Sequence, residues 1–287
     1  MLKKFLILSA PRTGSTLLGL WINQHQTINS HSEVFLHQTG AKDSFKYFVN
    51  QNHSQYLYKI FCNKISGALP FNFVNSKLTD QYLNSLYHNP NHSGPWTSVE
   101  TWEEFYPKKA NVNCSGFKIM YRNLFYNNRL NQLFFNNSFS VVHLIRKDLV
   151  SRTLSLVRLR KTKQAHVSDT KNISELNFQV NSRYFFWLIR HYINQVIYWR
   201  KKLNLLENVI EVSYEDIVHN DTQVLKSICD FLQVDYSPLL LTTKLKKITN
   251  NPWSGIINKE QLITQLQQDI ELQRLAHNQG LDLNIEY

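Results

Sequence analysis

The sequence predicts an α/β protein with a central parallel sheet flanked by helices on both faces, and three observations lead to this prediction. Short apolar runs that favour strands recur along the chain. Helical periodicity follows most of these runs, which is the alternation expected when helices connect parallel strands. Within each run the apolar residues are consecutive, as in strands that are buried on both faces.

Four segments are predicted as buried strands. They are Lys4–Ser9, Gly116–Tyr121, Ser140–Ile145 and Val209–Val212. The basic residues before the first strand resemble the start of a signal peptide, but the apolar run that follows is too short for one. It also leads directly into a Pro-Arg-Thr-Gly turn, and we therefore interpret it as the first strand of the sheet.

Four helices are predicted from apolar residues that recur at helical spacing. They span Asp148 to about Lys163, Asn181 to about Leu206, Thr222 to Leu232, and Lys259 to about Gln279. Asp148 is suited to cap the first of them, because a carboxylate can accept hydrogen bonds from the free N–H groups of a first turn. Residues 35–107 break the alternation. We expect a single domain, residues 1–287, in which residues 35–107 form a partly helical insertion after the first βα unit.

Composition narrows the possible functions. Three widely spaced cysteines form neither a CxxC nor a Cys/His pattern, so the sequence predicts no disulfide framework and no metal site. No run approaches the roughly 18 apolar residues of a membrane span, so we expect a cytoplasmic protein without integral membrane association. The net charge of +11 indicates an anionic partner, which could be nucleic acid, a membrane surface or a small polyanion.

The first loop, which follows the first strand, has the chemistry of an anion-binding site. A buried strand, a turn and an apolar helix beginning near Ser15 place the N–H groups of residues 13–16 at a helix N-terminus, where the helix dipole attracts anions. Gly14 allows the chain to approach a ligand closely. The candidate ligand-binding residues are Arg12, Thr13, Gly14, Ser15 and Thr16. A turn that binds nothing is the alternative interpretation.

Comparison with a Walker A loop shows what the first loop lacks. Ser15 stands where the Walker A lysine would be, and Ser9 replaces the first glycine. That lysine serves the β- and γ-phosphates, and the hydroxyl after it binds Mg²⁺. The loop therefore suits a P-loop-like protein whose ligand has no γ-phosphate and requires no metal, with Arg12 as the cation.

A second anionic group has a candidate site after the strand Ser140–Ile145. Arg146 and Lys147 follow this strand directly, and the predicted helix after them carries Ser155. A basic residue at a strand end and a hydroxyl two turns into the next helix can together bind a phosphate. The sequence leaves open whether Arg146 or Lys147 reaches it, and a solvated basic helix face is the alternative.

These two motifs resemble those of the sulfotransferases that use 3′-phosphoadenosine-5′-phosphosulfate (PAPS). Residues 11–18 are similar to the 5′-phosphosulfate loop of the family, and residues 146–155 to its 3′-phosphate site. In motif they are most similar to bacterial carbohydrate sulfotransferases of the nodulation-factor and trehalose type. The resemblance implies PAPS as co-substrate, PAP as product and no required metal, with Arg12 stabilising charge on the bridging oxygen. It implies a carbohydrate or small-molecule natural product as acceptor.

The resemblance also suggests a base and an adenine contact. Glu33, in a His-x-Glu-x-Phe context, corresponds to the carboxylate that takes the acceptor proton in the bacterial enzymes. His31 and His37 are alternatives, since the animal cytosolic members use histidine. Tyr214 is similar to the family tyrosine that borders the adenine, and residues 244–247 resemble part of a late loop over the nucleotide.

Two other functions account for some of these features. A P-loop kinase of a small metabolite would use ATP and Mg²⁺, but the missing Walker A lysine argues against it. A non-catalytic nucleic-acid-binding protein would explain the positive charge, but it requires basic and aromatic residues interleaved on one face, and we find no such pattern. We therefore expect a PAPS-dependent sulfotransferase that binds a small-molecule or glycan acceptor and no nucleic acid.

Overall fold

The computed structural model describes residues 2–31, 35, 79–85, 87, 109, 111–126, 128–136, 139–162, 177–219, 221–237 and 251–284. The strands are β1 (Lys3–Ser9), β2 (Ile28–His31), β3 (Cys114–Met120), β4 (Ser140–Ile145) and β5 (Val209–Ser213). The helices are α1 (Ser15–Asn23), α2 (Tyr121–Tyr126), α3 (Asn128–Phe135), α4 (Leu149–Thr162), α5 (Ser182–Leu203), α6 (Tyr214–His219), α7 (Asp221–Leu232), α8 (Lys259–Gln268) and α9 (Ile270–His277). Residues 79–85 are also helical.

The described strands form one parallel sheet in the order β2-β3-β1-β4-β5. β1 lies at its centre and pairs with β3 on one side and with β4 on the other. Because every strand runs in the same direction, the loops that follow β1 and β4 leave the sheet at the same edge and side by side. The predicted α/β class with a central parallel sheet is confirmed.

Both faces of the sheet are buried. Successive side chains of a strand point to opposite faces, and in β1 Phe5 and Ile7 pack in the core under α1 and α7. Leu6 and Leu8 pack in the opposite core, under α4, α5 and α8. All four side chains are fully buried, and each such burial stabilises the fold by about 1.5–3 kcal/mol. This arrangement holds the end of β1, and hence the first loop, in a fixed place.

The strand β2 was not expected from the sequence. Its last three residues are the polar Asn29, Ser30 and His31, which give no apolar strand pattern. They nevertheless pair in parallel with β3, at the edge of the described sheet. Edge strands pair on one side only, and the pairing with β3 here outweighs the weak local preference.

The C-terminal helix predicted over residues 259–279 is two helices. Asp269, with φ −83° and ψ 73°, leaves the helical conformation between α8 and α9. Its carboxylate accepts a hydrogen bond from the N–H of Leu272 at 3.0 Å and pairs with Arg190 at 2.7 Å. These contacts stabilise a new helix start and explain the break.

Two further expectations concern the chain as a whole. No helix in the described ranges is long and apolar enough to cross a membrane. Within the proposed insertion of residues 35–107, the description extends only to 35, 79–85 and 87. The single-domain assignment therefore stays a prediction.

Candidate functional site

The first loop, residues 10–14, joins β1 to α1 in a conformation that needs glycine. Gly14 has a φ of 85°, and a Cβ atom there would lie 2.3 Å from Cδ2 of Tyr214. Arg12 also has a positive φ, of 67°. The first turn of α1 contains no acidic residue, so its positive helix end is not neutralised by the helix itself. The loop therefore curls around a helix N-terminus that is suited to an anion.

The hydroxyl groups of the first loop and α1 have different tasks. Thr13 Oγ1 donates a hydrogen bond to the carbonyl of Ala10 at 2.9 Å, so this hydroxyl shapes the loop. Thr16 Oγ1 instead accepts a hydrogen bond from Nζ of Lys118 at 3.0 Å. An oxygen that accepts in this way keeps its own proton for donation. Thr16 is thus a better hydroxyl donor to a bound anion than Thr13.

Lys118 is a site residue that the sequence analysis missed. It lies in β3, only 4% exposed, and its pairing partner across the sheet is Ile7 of β1. In the sequence it is a single lysine within a predicted apolar strand, the segment Gly116–Tyr121. The available signal was a single lysine in an otherwise apolar, buried strand, because a buried charge is costly unless it has a polar partner.

The second loop, residues 146–148, separates its two basic side chains. The guanidinium of Arg146 lies 4.6 Å from the ring centroid of Tyr214, and its Nη1 donates to the carbonyl of Arg12 at 3.4 Å. Lys147 is 35% exposed and pairs with Asp216 at 3.0 Å. Arg146 therefore faces the first loop, whereas Lys147 is directed to the carboxylate of α6.

Acidic residues bind the backbone of the second loop and of the start of α4. Glu215 accepts hydrogen bonds from the N–H groups of Lys147 and Asp148, at 2.8 and 3.1 Å. Asp148 Oδ1 accepts from the N–H of Ser151 at 2.8 Å, which confirms the predicted cap of α4. The caps satisfy backbone donors that would otherwise lack partners at this end of α4.

A hydrogen bond also joins the first loop to α4, the helix that follows the second loop. Arg12 Nε donates to Ser155 Oγ at 2.9 Å, although the residues are 143 positions apart in the chain. Burial and the nearby charge of Arg146 lower the pKa of Arg12. Arg12 and Arg146 thus lie close together where β1 and β4 end, and a bound anion would offset their mutual repulsion.

The structure places most of the predicted site residues together. These are Arg12, Thr13, Gly14, Ser15, Thr16, Arg146, Ser155 and Tyr214. Glu33 and His37, and the lysine-rich residues 244–247, lie outside the described residues. His31 is buried at the end of β2, with Nε2 3.3 Å from Nδ2 of Asn29.

A central parallel sheet with helices around it, and two loops side by side at its carboxyl edge that carry donors suited to anions, defines an α/β protein with a candidate ligand site at that edge. Residues 5–238 match the model of the sulfotransferase family. The chain belongs to that family and is a sulfotransferase enzyme.

Several solved sulfotransferases are similar to the chain. The sulfotransferase domain from the curacin biosynthetic pathway is 22% identical, with 99% of each chain covered and a TM-score of 0.48. The sulfotransferase domain of the Synechococcus PCC 7002 olefin synthase is 18% identical over 98% of this chain and 96% of that one, with a TM-score of 0.45. The sulfotransferase from Alicyclobacillus acidocaldarius is 16% identical over 99% and 98%, with a TM-score of 0.45. No curated protein sequence matches the chain.

Proposed function

We propose that this sulfotransferase transfers the sulfuryl group of PAPS to a hydroxyl or amine of a carbohydrate or small-molecule natural product, and releases PAP. The hydrogen bond between Arg12 and Ser155 carries the proposal. PAPS presents a 5′-phosphosulfate and a 3′-phosphate on one nucleoside, so it needs two anion sites at a fixed separation. The contact joins the first loop to the helix after the second loop and fixes that separation.

The first loop and its neighbours suit the 5′-phosphosulfate. The N–H groups of residues 13–16, the Thr16 hydroxyl and the Arg12 guanidinium supply donors, and Lys118 adds a buried charge beside Thr16. As the sulfuryl group leaves, negative charge develops on the phosphate oxygen that bridged the two groups. Donors that are already in place stabilise such charge without reorganisation, which is the main source of rate in this class of chemistry.

Arg146 and Ser155 suit the 3′-phosphate, and the Tyr214 ring suits the adenine. Arg146 faces the first loop, whereas Lys147 is paired with Asp216 at 3.0 Å. This orientation favours Arg146 between the two basic residues that the sequence left open. Tyr214 packs against Gly14 and lies under the Arg146 guanidinium, so one flat side chain borders both anion sites.

Glu33 is the proposed base. It follows His31, the last residue of β2, by two positions in the chain. In the proposed step an acceptor oxygen or nitrogen forms a bond to sulfur, the bond from sulfur to the bridging phosphate oxygen breaks, and Glu33 takes the acceptor proton. PAP leaves with the negative charge on its 5′-phosphate, and the scheme requires no metal. We also propose that residues 35–107 form the acceptor side of a single domain in a cytoplasmic enzyme.

Radiolabelled PAPS provides the test. The protein is incubated with ³⁵S-labelled PAPS and an extract of its source, with EDTA present, and the labelled product is identified. We expect transfer that persists in EDTA, and calorimetric binding of PAP. Transfer of label from γ-labelled ATP with Mg²⁺, and none from PAPS, would instead support the kinase alternative.

The Glu33→Gln variant tests the base. Because the amide cannot take a proton, we expect sulfuryl transfer to fall by at least about a hundredfold, while PAP binding measured by calorimetry stays unchanged. A variant that is nearly as active as the wild type would move the role to His31 or His37.

A further inference from the structure

The hydroxyl of Tyr192 contacts the second loop from behind. Tyr192 lies in α5 and is fully buried. Its hydroxyl oxygen accepts a hydrogen bond from the N–H of Arg146 at 2.8 Å, and its proton is donated to the carbonyl of the same residue at 3.3 Å. Burial raises the pKa of Tyr192 to about 12, so the hydroxyl keeps this proton at neutral pH. One side chain thus binds both backbone polar groups of Arg146.

The ring of Tyr192 is itself fixed by a buried cation. The Arg152 guanidinium lies 3.9 Å from the ring centroid, and Arg152 is 3% exposed. Its Nε and Nη1 atoms have no hydrogen-bond partner within the described part of the chain. Burial lowers the pKa of Arg152 to about 10, which leaves it charged at neutral pH. The cation–π contact is therefore a principal polar contact of Arg152, and it holds the Tyr192 ring in one orientation.

The remaining contacts of Arg146 involve its guanidinium group. The ring of Tyr214 lies at 4.6 Å from the guanidinium, and Glu215 Oε1 lies 3.8 Å from Nε. These groups orient the head of the side chain, whereas Tyr192 is the residue in the described part of the chain whose side chain binds both backbone polar groups of Arg146. Because the guanidinium is carried by that backbone, a small shift of the chain displaces the whole anion site.

We propose that Tyr192 is a positioning residue of the donor site, which sets the affinity for the 3′-phosphate by fixing the backbone of Arg146. This inference rests on the proposed function, in which Arg146 binds that phosphate. Tyr192 does not itself contact the ligand. Its removal should therefore affect ligands that carry a 3′-phosphate and spare those that lack it.

The test compares PAP with 5′-AMP, which lacks the 3′-phosphate, in the Tyr192→Phe variant. This change keeps the ring that supports Arg152 and removes only the hydroxyl. We expect PAP to bind about five- to tenfold more weakly, as for loss of buried hydrogen bonds, and the affinity for 5′-AMP, measured by calorimetric displacement, to stay within about twofold.

Tyr184→Phe is the matched control, because Tyr184 lies in the same helix and its hydroxyl has no hydrogen-bond partner within the described residues. We expect this variant to bind both nucleotides as the wild type does. Equal weakening of PAP and 5′-AMP in Tyr192→Phe, or no change in either, would overturn the inference.

A double-mutant cycle gives a second measurement. If Tyr192 acts through Arg146, adding Tyr192→Phe to Arg146→Ala should weaken PAP no further. Additive losses would show that Tyr192 acts by another route. If the wild-type protein binds no PAP, the proposed function itself is refuted. If the wild type binds PAP and Tyr192→Phe binds both nucleotides with unchanged affinity, only this inference is refuted.

Discussion

The first and second loops of the candidate site are built in different ways. The first depends on backbone conformation, with positive φ values at Arg12 and Gly14 and N–H groups at the start of α1. The second depends on side chains, because Glu215 and Tyr192 hold its backbone through hydrogen bonds. A backbone-built site fails when its conformation becomes impossible. A side-chain-built site loses affinity in steps, one contact at a time.

The largest expected effect is that of Gly14→Ala. The added Cβ would lie 2.3 Å from the ring of Tyr214, and the φ of 85° disfavours any side chain. We expect PAP affinity to fall by more than about a hundredfold, since loop and ring cannot both keep their places. Calorimetry with PAP measures the loss.

Gly280→Ala is the control for backbone strain alone. Gly280 has a φ of 60° and nothing within 4 Å of its Cβ position. We expect a loss of about 1 kcal/mol in the free energy of unfolding and unchanged PAP binding. PAP binding by Gly14→Ala within about threefold of wild type would mean that the first loop is not built as described.

The next largest effect separates the two basic residues of the second loop. Arg146→Ala removes charge-assisted hydrogen bonds to the proposed 3′-phosphate, and PAP should bind about ten- to a hundredfold more weakly. Lys147→Ala breaks a half-exposed ion pair with Asp216 and should change PAP affinity by less than about threefold. The reverse order in a titration of both variants would assign the phosphate to Lys147.

Ser155→Ala tests the contact between the first loop and α4. The change removes the acceptor of the 2.9 Å hydrogen bond from Arg12 and one proposed phosphate donor. We expect PAP to bind about fivefold more weakly. Because Arg12 loses its orientation, 5′-AMP should weaken as well, unlike in Tyr192→Phe. Ser227→Ala, on the exposed side of α7, is the control and should change neither affinity.

The smallest effect is expected for Asp216→Asn. Asp216 is 45% exposed and pairs with Lys147. Removing its charge frees that lysine without moving the backbone of the second loop, which Glu215 holds. PAP affinity should stay within about twofold at physiological salt. A change above fivefold would show that the second loop depends on this pair more than on Glu215.

The parts of the site that are local in sequence could be predicted. The first loop, the cap at Asp148 and the strand before it are all specified by neighbouring residues, and each was found. The orientation of Arg146 and Lys147 was not predictable, because it depends on Tyr214 and on Asp216, which lies 69 residues beyond Lys147. Lys118 was missed for the same reason, since its role requires β3 to lie beside β1. The strand β2 was missed because its residues are mostly polar, and its pairing with β3 is the main evidence that it is a strand.

The central position of β1 has a consequence for folding. Its neighbours β3 and β4 come more than a hundred residues later in the chain, so the contacts of the first loop close large chain loops. Such non-local pairings form slowly and late. The first loop is synthesised early but meets Lys118, Ser155 and Tyr214 only once the sheet is assembled. Ligand binding at this site therefore reports that the sheet has been assembled.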